Sequence, residues 1–307
     1  MPTESGAGLA QEIAGQPDLW QLAAARGTAM RARQGDVVGL PPHGTRLAVI
    51  GCGTSLYVAR AVAALRESAG LGETDAFTPT ELPQRRRYDA LLAISRSGTT
   101  TEVLQAVSRQ TRTPVYGLCG DTGSPLSAAA GHVVTMPEAA ERSVVQTRFA
   151  TTVLAMLRAY FGADLTAAIA DARRALTDPL PIDPAGHHHF VFLGRGWTVG
   201  LAQEAALKVQ EMANVVAESY PAPEYLHGPI SAATPRTVVW SLGPADPLVL
   251  TAARRVGAQV VDRPSDPLAE LVAVHRVAYA LARTRGLDPA YPRHLTRSII
   301  RVPSADA

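Results

Sequence analysis

Short apolar runs recur along this chain, each passing through a turn of small residues into sequence with helical spacing. Runs at 47–50, 89–94, 114–119 and 132–136 lie in the first half, and runs at 190–193, 237–241 and 259–261 in the second. Their length and β-branched content predict buried strands. Between them, apolar positions three and four residues apart predict helices over 57–68, 101–110, 143–161, 247–256 and 268–285, with another running to 176. Near the N-terminus, Leu9, Ile13, Leu19, Leu22, Ala23 and Met30 keep helical spacing, and Pro17 splits them into two helices. Strands alternating with helices imply an α/β fold of parallel sheets covered by helices on both faces. The Pro- and Asp-rich stretch 178–184 divides the chain into two units, 1–180 and 181–307. A tail over 288–302 contains two prolines and ends in apolar residues.

Two of the strand-to-helix turns carry candidate chemistry. The first reads Gly51-Cys52-Gly53-Thr54-Ser55, the second Ser95-Arg96-Ser97-Gly98-Thr99-Thr100. Glycine lets the backbone approach a ligand, and the following helix offers N–H groups at a positive dipole end. Hydroxyls donate to phosphate oxygens, and one capping residue would suffice if the second turn only started a helix. Both turns therefore read as anion sites. Neither has the spacing of a dinucleotide fingerprint.

The stretch from Glu204 to Pro229 holds Lys208, the only lysine among 29 basic residues. In a chain that otherwise writes arginine, a retained ammonium suggests a compact donor with a tunable pKa. Glu211 shares a helix face with Lys208, and His227 follows after a Pro-rich turn. A base, a cation and a histidine within two dozen residues form a plausible reaction centre. Glu204 and Lys208 also fit an ordinary surface pair at i, i+4.

Composition narrows the classes. A net charge of +2 demands no nucleic acid, and the run Gln84-Arg85-Arg86-Arg87 reads as a solvated turn. Cys52 and Cys119 support neither a disulfide framework nor a zinc site, which suits a reduced cytoplasm. His187, His188 and His189 have no cysteine or carboxylate cluster beside them, so no metal is expected. No signal peptide is visible, and no apolar run approaches the ~18 residues of a membrane span.

These motifs, in this order, resemble the sugar isomerase (SIS) domain family: Glu12-Ile13-x-x-Gln16-Pro17, CGTS, SxSGxT, LGRG, EAALKxQE, HGP and the closing PRHLTRS. The chain is similar to the isomerase half of glucosamine-6-phosphate synthase and to stand-alone sugar-phosphate isomerases, deaminases and deglycases. The resemblance implies two tandem flavodoxin-like lobes, each a five-stranded parallel sheet flanked by helices. It implies that Thr54, Ser55, Ser95, Arg96, Ser97 and Thr100, with Val144 and Arg297, bind substrate and its phosphate. It implies Glu211 as the carboxylate that moves a proton between C1 and C2, Lys208 as a pocket lysine, and His227 as the ring-opening histidine. In the family that histidine comes from a neighbouring subunit, so a homodimer is expected, with a phosphorylated sugar as substrate and no cofactor. There are departures. No N-terminal Cys nucleophile is present, so glutaminase activity is not expected. Arg297 stands where the synthase has an imine-forming lysine, and a guanidinium is a far poorer nucleophile. Gln146 replaces a small hydroxyl residue. The expectation is an isomerase, deaminase or deglycase acting through an enediol or enediolamine. A non-catalytic sugar-phosphate sensor is the alternative.

Overall fold

The computed structural model describes residues 4–33 and 39–298. The apolar end of the tail, 299–302, lies outside them. Two helices, α1 (Glu4–Ala14) and α2 (Gln16–Ala32), open the chain, and the break at Gly15 precedes Pro17 in the first turn of α2. There the missing N–H of proline costs nothing, because first-turn N–H groups have no partner within the helix.

The first sheet follows: β1 (Leu47–Ile50), α3 (Thr54–Ser68), β2 (Thr74–Phe77), β3 (Ala90–Ser95), α4 (Thr101–Ser108), β4 (Val115–Cys119), α5 (Pro125–Ala129) and β5 (His132–Thr135). All pairings are parallel, in the order β2-β1-β3-β4-β5. Helices α6 (Arg148–Tyr160) and α7 (Thr166–Thr177) lead to the second half. Its elements are β6 (His189–Gly194), α8 (Thr198–Ala213), β7 (Val216–Pro221), β8 (Thr237–Ser241), α9 (Pro247–Arg255), β9 (Gln259–Val261) and α10 (Pro267–Thr284). This sheet is also parallel, in the order β7-β6-β8-β9.

The α/β class and paired parallel sheets match the sequence reading, with three corrections. Among the described residues the second sheet has four strands, not five. Strands β2 and β7 have no counterpart in the apolar pattern, because both are edge strands with mostly half-exposed or exposed residues. A strand with one neighbour and little burial carries little hydrophobic signal. Finally, α6 starts at Arg148 rather than 143. The Glu141 carboxylate accepts from the N–H groups of Thr147 at 2.6 Å and Arg148 at 2.8 Å, ending the loop there.

The two sheets sandwich a helical layer, and one continuous core fills the space. It joins Leu47, Val49 and Leu92 of the first sheet to Phe190, Phe192 and Trp240 of the second through α2, α3, α6, α8 and α10. Strand alternation sends the other side chains outward. Ile50 and Leu91 meet Val103 of α4, and Val191 and Val239 meet Val249 of α9.

The first helices of the two sheets touch backbone to backbone. A Cβ on Gly200 of α8 would lie 2.5 Å from the Tyr57 carbonyl oxygen and 2.8 Å from the Ala61 nitrogen of α3. Glycine at this point lets α8 lie close enough to α3 for Lys208, two turns further on, to reach Thr54. Gly200→Ala gains about 1 kcal/mol of helix propensity, but overpacking against rigid backbone costs about 1–3 kcal/mol. We expect a net loss of stability, read as a lower urea midpoint at constant m-value. An unchanged or higher midpoint would show that the helices can part without cost.

Candidate functional site

In the first sheet, the order in which strands are added reverses between β1 and β3: β2 lies to one side of β1, and β3, β4 and β5 follow on the other. Open parallel sheets bind ligands at such a switch point, beyond the carboxyl ends of the strands. Both candidate anion turns are there, because β1 feeds α3 and β3 feeds α4. Ser55 and Ser95 are almost wholly buried at these turns, while Ser97, Thr99 and Thr100 are half-buried. Thr100 is the N-cap of α4, yet its hydroxyl makes no capping hydrogen bond. It lies 3.3 Å from Ser95 Oγ, which also accepts from the Gly98 N–H at 3.2 Å. The hydroxyls thus face one another across a curled loop instead of serving the helix end. Gly98 has φ of +64°, and a Cβ there would be 2.2 Å from Ser124 Oγ. It is needed for loop conformation and for packing against α5.

Arg96 points away from this cradle. Its guanidinium is buried and donates to the carbonyls of Ser143, Val144 and Arg297, each at 3.0 Å, with Glu141 Oε2 at 3.5 Å. Its Nη donors go to protein carbonyls and fasten two loops to the cradle, while the buried Nε has no partner among the described residues. Val144 is used in the same way, its N–H donating to the Ala290 carbonyl at 3.0 Å. The early motif continues the chain of supports. Glu12 Oε1 accepts from the Arg142 N–H at 2.6 Å, and Gln16 Nε2 donates to the Ile13 carbonyl at 3.0 Å while its Oε1 accepts from Thr151 Oγ1 at 2.8 Å.

The tail belongs to this cradle rather than to the second sheet. Ser298 Oγ lies 3.0 Å from Thr99 Oγ1, and Arg297 is exposed beside the loop through its carbonyl bond to Arg96.

On the other side stands α8. Lys208 is fully buried, and its ammonium donates to Thr54 Oγ1 at 3.0 Å and to Glu211 Oε2, with Glu204 Oε1 at 3.5 Å. Thr54 Oγ1 donates in turn to Glu204 Oε1 at 3.3 Å. Thr54, expected at the phosphate, joins the two lobes through these bonds. Glu204, which the sequence offered as a surface pair, is buried, with Oε2 lacking a partner among the described residues. Its burial has no signature in an i, i+4 spacing. Burial pushes its carboxyl up to about 8, with Glu211 adding to the rise and Lys208 opposing it. Burial alone would lower the Lys208 ammonium, but the Glu204 and Glu211 charges outweigh it and hold the ammonium above its usual range. Glu211 keeps an 18% exposed side chain, so its carboxylate faces both the ammonium and the open site. Tyr57, one turn beyond Thr54, has its phenol raised by burial and by the charge of Glu204. It is a site neighbour that the motif reading missed.

His227 is not joined to this group. It ends the short helical turn Ala222–His227 after β7, is exposed, and has no hydrogen-bond or ion-pair partner among the described residues. Among the described residues no cluster of His, Cys, Asp and Glu is placed to hold a metal ion, and no helix is long and apolar enough to cross a membrane. His189 instead pairs with Glu218 at 2.9 Å and Thr237 at 3.1 Å.

The fold and this switch-point site define a class. Residues 43–163, which hold the first sheet, match the SIS domain family. By sequence the chain is similar to isomerising glutamine–fructose-6-phosphate aminotransferases, at 28% identity over 95% of this chain for a Thermus thermophilus protein and 30% over 67% for that of Treponema pallidum. It covers 58% and 37% of those two proteins, and about half the length of other such relatives. By structure it shares its fold with Thermotoga maritima glucosamine-6-phosphate deaminase (TM-score 0.78, 23% identity, covering 96% of this chain and 100% of that one). Escherichia coli tagatose-6-phosphate ketose/aldose isomerase has it too (TM-score 0.77, 21% identity, 99% and 100%).

The raised carboxyl of Glu204 carries a pH signature. Its folded-state pKa lies above the unfolded value, so the stability it contributes is complete below about pH 4.5 and is lost as pH rises to about 8. Glu204→Gln removes this titration. Urea unfolding at pH 5, 6.5 and 8 should show wild type losing stability relative to the variant at each step. A difference that stays flat, or moves the other way, refutes the assignment.

Proposed function

We propose that this chain is a sugar-phosphate isomerase or an amino-sugar-phosphate deaminase or deglycase, acting by proton transfer through an enediol or enediolamine. The observation that carries this reading is the placement of Glu211. Its carboxylate is partly open, rests on a buried ammonium, and projects from the helix packed against the Thr54–Ser55 turn. A proton-moving group and an anion cradle thus share one wall between α3 and α8.

In this reading the substrate phosphate docks on the hydroxyls of Ser55, Ser95, Ser97 and Thr100 at the helix N-termini. Glu211 takes the proton from the carbon beside the carbonyl and returns it to the neighbouring carbon. Lys208, enclosed by Thr54, Glu204 and Glu211, holds the Glu211 carboxylate in position. Positioned acid–base help of this kind contributes about 10²–10⁴-fold. His227 opens the sugar ring as a general acid. Its isolation within one chain supports the view that a second copy completes the site, so the active species is a homodimer. Arg297, held at the mouth by its backbone, contacts the sugar or its substituent.

The buried ammonium also favours one chemical route. An imine-forming lysine needs a lowered pKa and a free lone pair. Lys208 has a raised pKa, is enclosed by its partners, and is the only lysine present. Proton transfer therefore runs through the free carbonyl or a substrate nitrogen. Borohydride added during turnover should leave the protein mass unchanged. An adduct the size of the reduced substrate on Lys208 would overturn this route.

The direct test uses solvent exchange. Hexose and pentose phosphates, amino-sugar phosphates and glycated-amine phosphates are screened by thermal shift, since a ligand raises the transition by mass action. Those that bind are then incubated in deuterated water. Wild type should place deuterium at C2, and Glu211→Gln should lose at least 10²-fold in exchange rate while its thermal shift persists. Binding without exchange by wild type would mark a sensor instead.

A further inference from the structure

The Gln84–Arg87 run, expected as a solvated turn, forms one rim of a cleft of about 810 Å³ on the first lobe. The opposite rim is the end of α4 and the loop after it, which supply Arg109 and Arg112. Four guanidinium groups, Arg86, Arg87, Arg109 and Arg112, therefore line one concavity from two separate segments. The carboxylate in the lining is Asp89, and its Oδ2 accepts from the Arg46 backbone N–H at 2.8 Å. Arg86 lies 3.6 Å from Asp75, which also accepts from the Tyr88 hydroxyl at 2.6 Å. The side chains of Arg87, Arg109 and Arg112 have no hydrogen-bond or ion-pair partner among the described residues.

A helix C-terminus favours one nearby cation through its dipole, which accounts for Arg109, the C-cap of α4. It does not account for two further arginines arriving from the loop before β3. Like charges gathered around a concavity raise its potential and concentrate anions there. The floor is of a different kind. Ala48, Leu91 and Ala106 are buried apolar residues, and the half-buried Tyr88 ring stands at the side with Pro83 and Pro114. A volume in the range of small-molecule pockets, an apolar floor and a cationic rim together suit a multiply charged anion attached to a flat ring. Guanidinium groups also match phosphate geometry and stack on ring faces.

We propose that this cleft is a second ligand site, separate from the cradle, that binds a nucleoside diphosphate. Asp89 and Ser95 flank opposite ends of β3, about 20 Å apart at a strand rise of about 3.3 Å per residue. A ligand in the cleft therefore cannot reach Glu211. It does rest on α4, whose other end leaves the Ser95–Thr100 turn.

The test is calorimetric titration of the full chain with UDP, ADP and inorganic pyrophosphate at 50 and 200 mM salt. Both nucleotides should bind saturably, at least tenfold more weakly at the higher salt, and more tightly than pyrophosphate. The Arg109→Glu/Arg112→Glu double variant should weaken both at least tenfold, and Ser97→Ala in the cradle should leave them unchanged. A thermal transition near that of wild type shows that the reversal still folds; if it does not, Arg87→Gln and Arg112→Gln are read in its place. Absence of saturable nucleotide binding overturns the proposal. So does binding that Ser97→Ala abolishes while the arginine variants keep it, because the anion then belongs to the cradle. Pyrophosphate binding as tightly as the nucleotides overturns the ring subsite, and a 20-residue RNA that outcompetes them all makes the cleft a nucleic-acid contact instead.

Discussion

A buried ammonium joins the two halves of this protein. Lys208 reaches from the second lobe to Thr54 of the first and lies between Glu204 and Glu211. An ion buried this deeply is costly unless its partners surround it, and removing one member of such a group typically costs about 3–5 kcal/mol. The arrangement is possible because α3 and α8 approach closely at Gly200, and because Thr54 supplies a hydroxyl that both accepts and donates. The position and exposure of Glu211 follow from that contact. A small displacement of α8 against α3 would leave an unpaired charge in the core.

A second set of supports runs from the N-terminus to the tail. Glu12 holds the loop at Arg142, that loop takes up the Arg96 guanidinium, and Arg96 holds the carbonyl of Arg297. The cradle is consequently shaped from behind by a buried arginine and closed in front by the C-terminal segment. The hydroxyls of Ser95 and Thr100 face each other and that of Ser97 accepts from Thr99, so neither the arginine nor the helix end claims them. Within six residues of one turn, the guanidinium serves distant carbonyls while the hydroxyls bond within the loop.

The regular parts of the fold were legible. Runs such as LAVI and ALLAIS are apolar because each lies between two neighbouring strands under helices on both faces, so their burial is written in every residue. The edge strands β2 and β7 were not legible, since half their side chains meet solvent and the pattern dissolves. Glu204 was legible as a partner of Lys208 but not as a buried one. A spacing of four residues places two side chains on one face of a helix and says nothing about what that face packs against. The bonds of Thr54 and Val144 were not legible for a related reason: motifs locate the turn, while the direction of each hydroxyl or N–H depends on neighbours from distant segments.

By itself the sequence determined the order of strands and helices, the two small-residue strand-to-helix turns, and the presence of a single ammonium in an arginine-rich chain. These are local properties, set by burial periodicity, backbone freedom and side-chain chemistry. Only the tertiary structure decided which groups share an environment. It buried Glu204 and Lys208 together, turned Arg96 from the cradle, laid the tail across the first lobe and left His227 standing apart. It also gathered four arginines from two segments around one cleft. Those outcomes depend on contacts between residues tens to hundreds of positions apart, and the pKa shifts of Glu204 and Lys208 arise with that burial, because the charge of a carboxylate or an ammonium depends on its surroundings more than on its place in the chain.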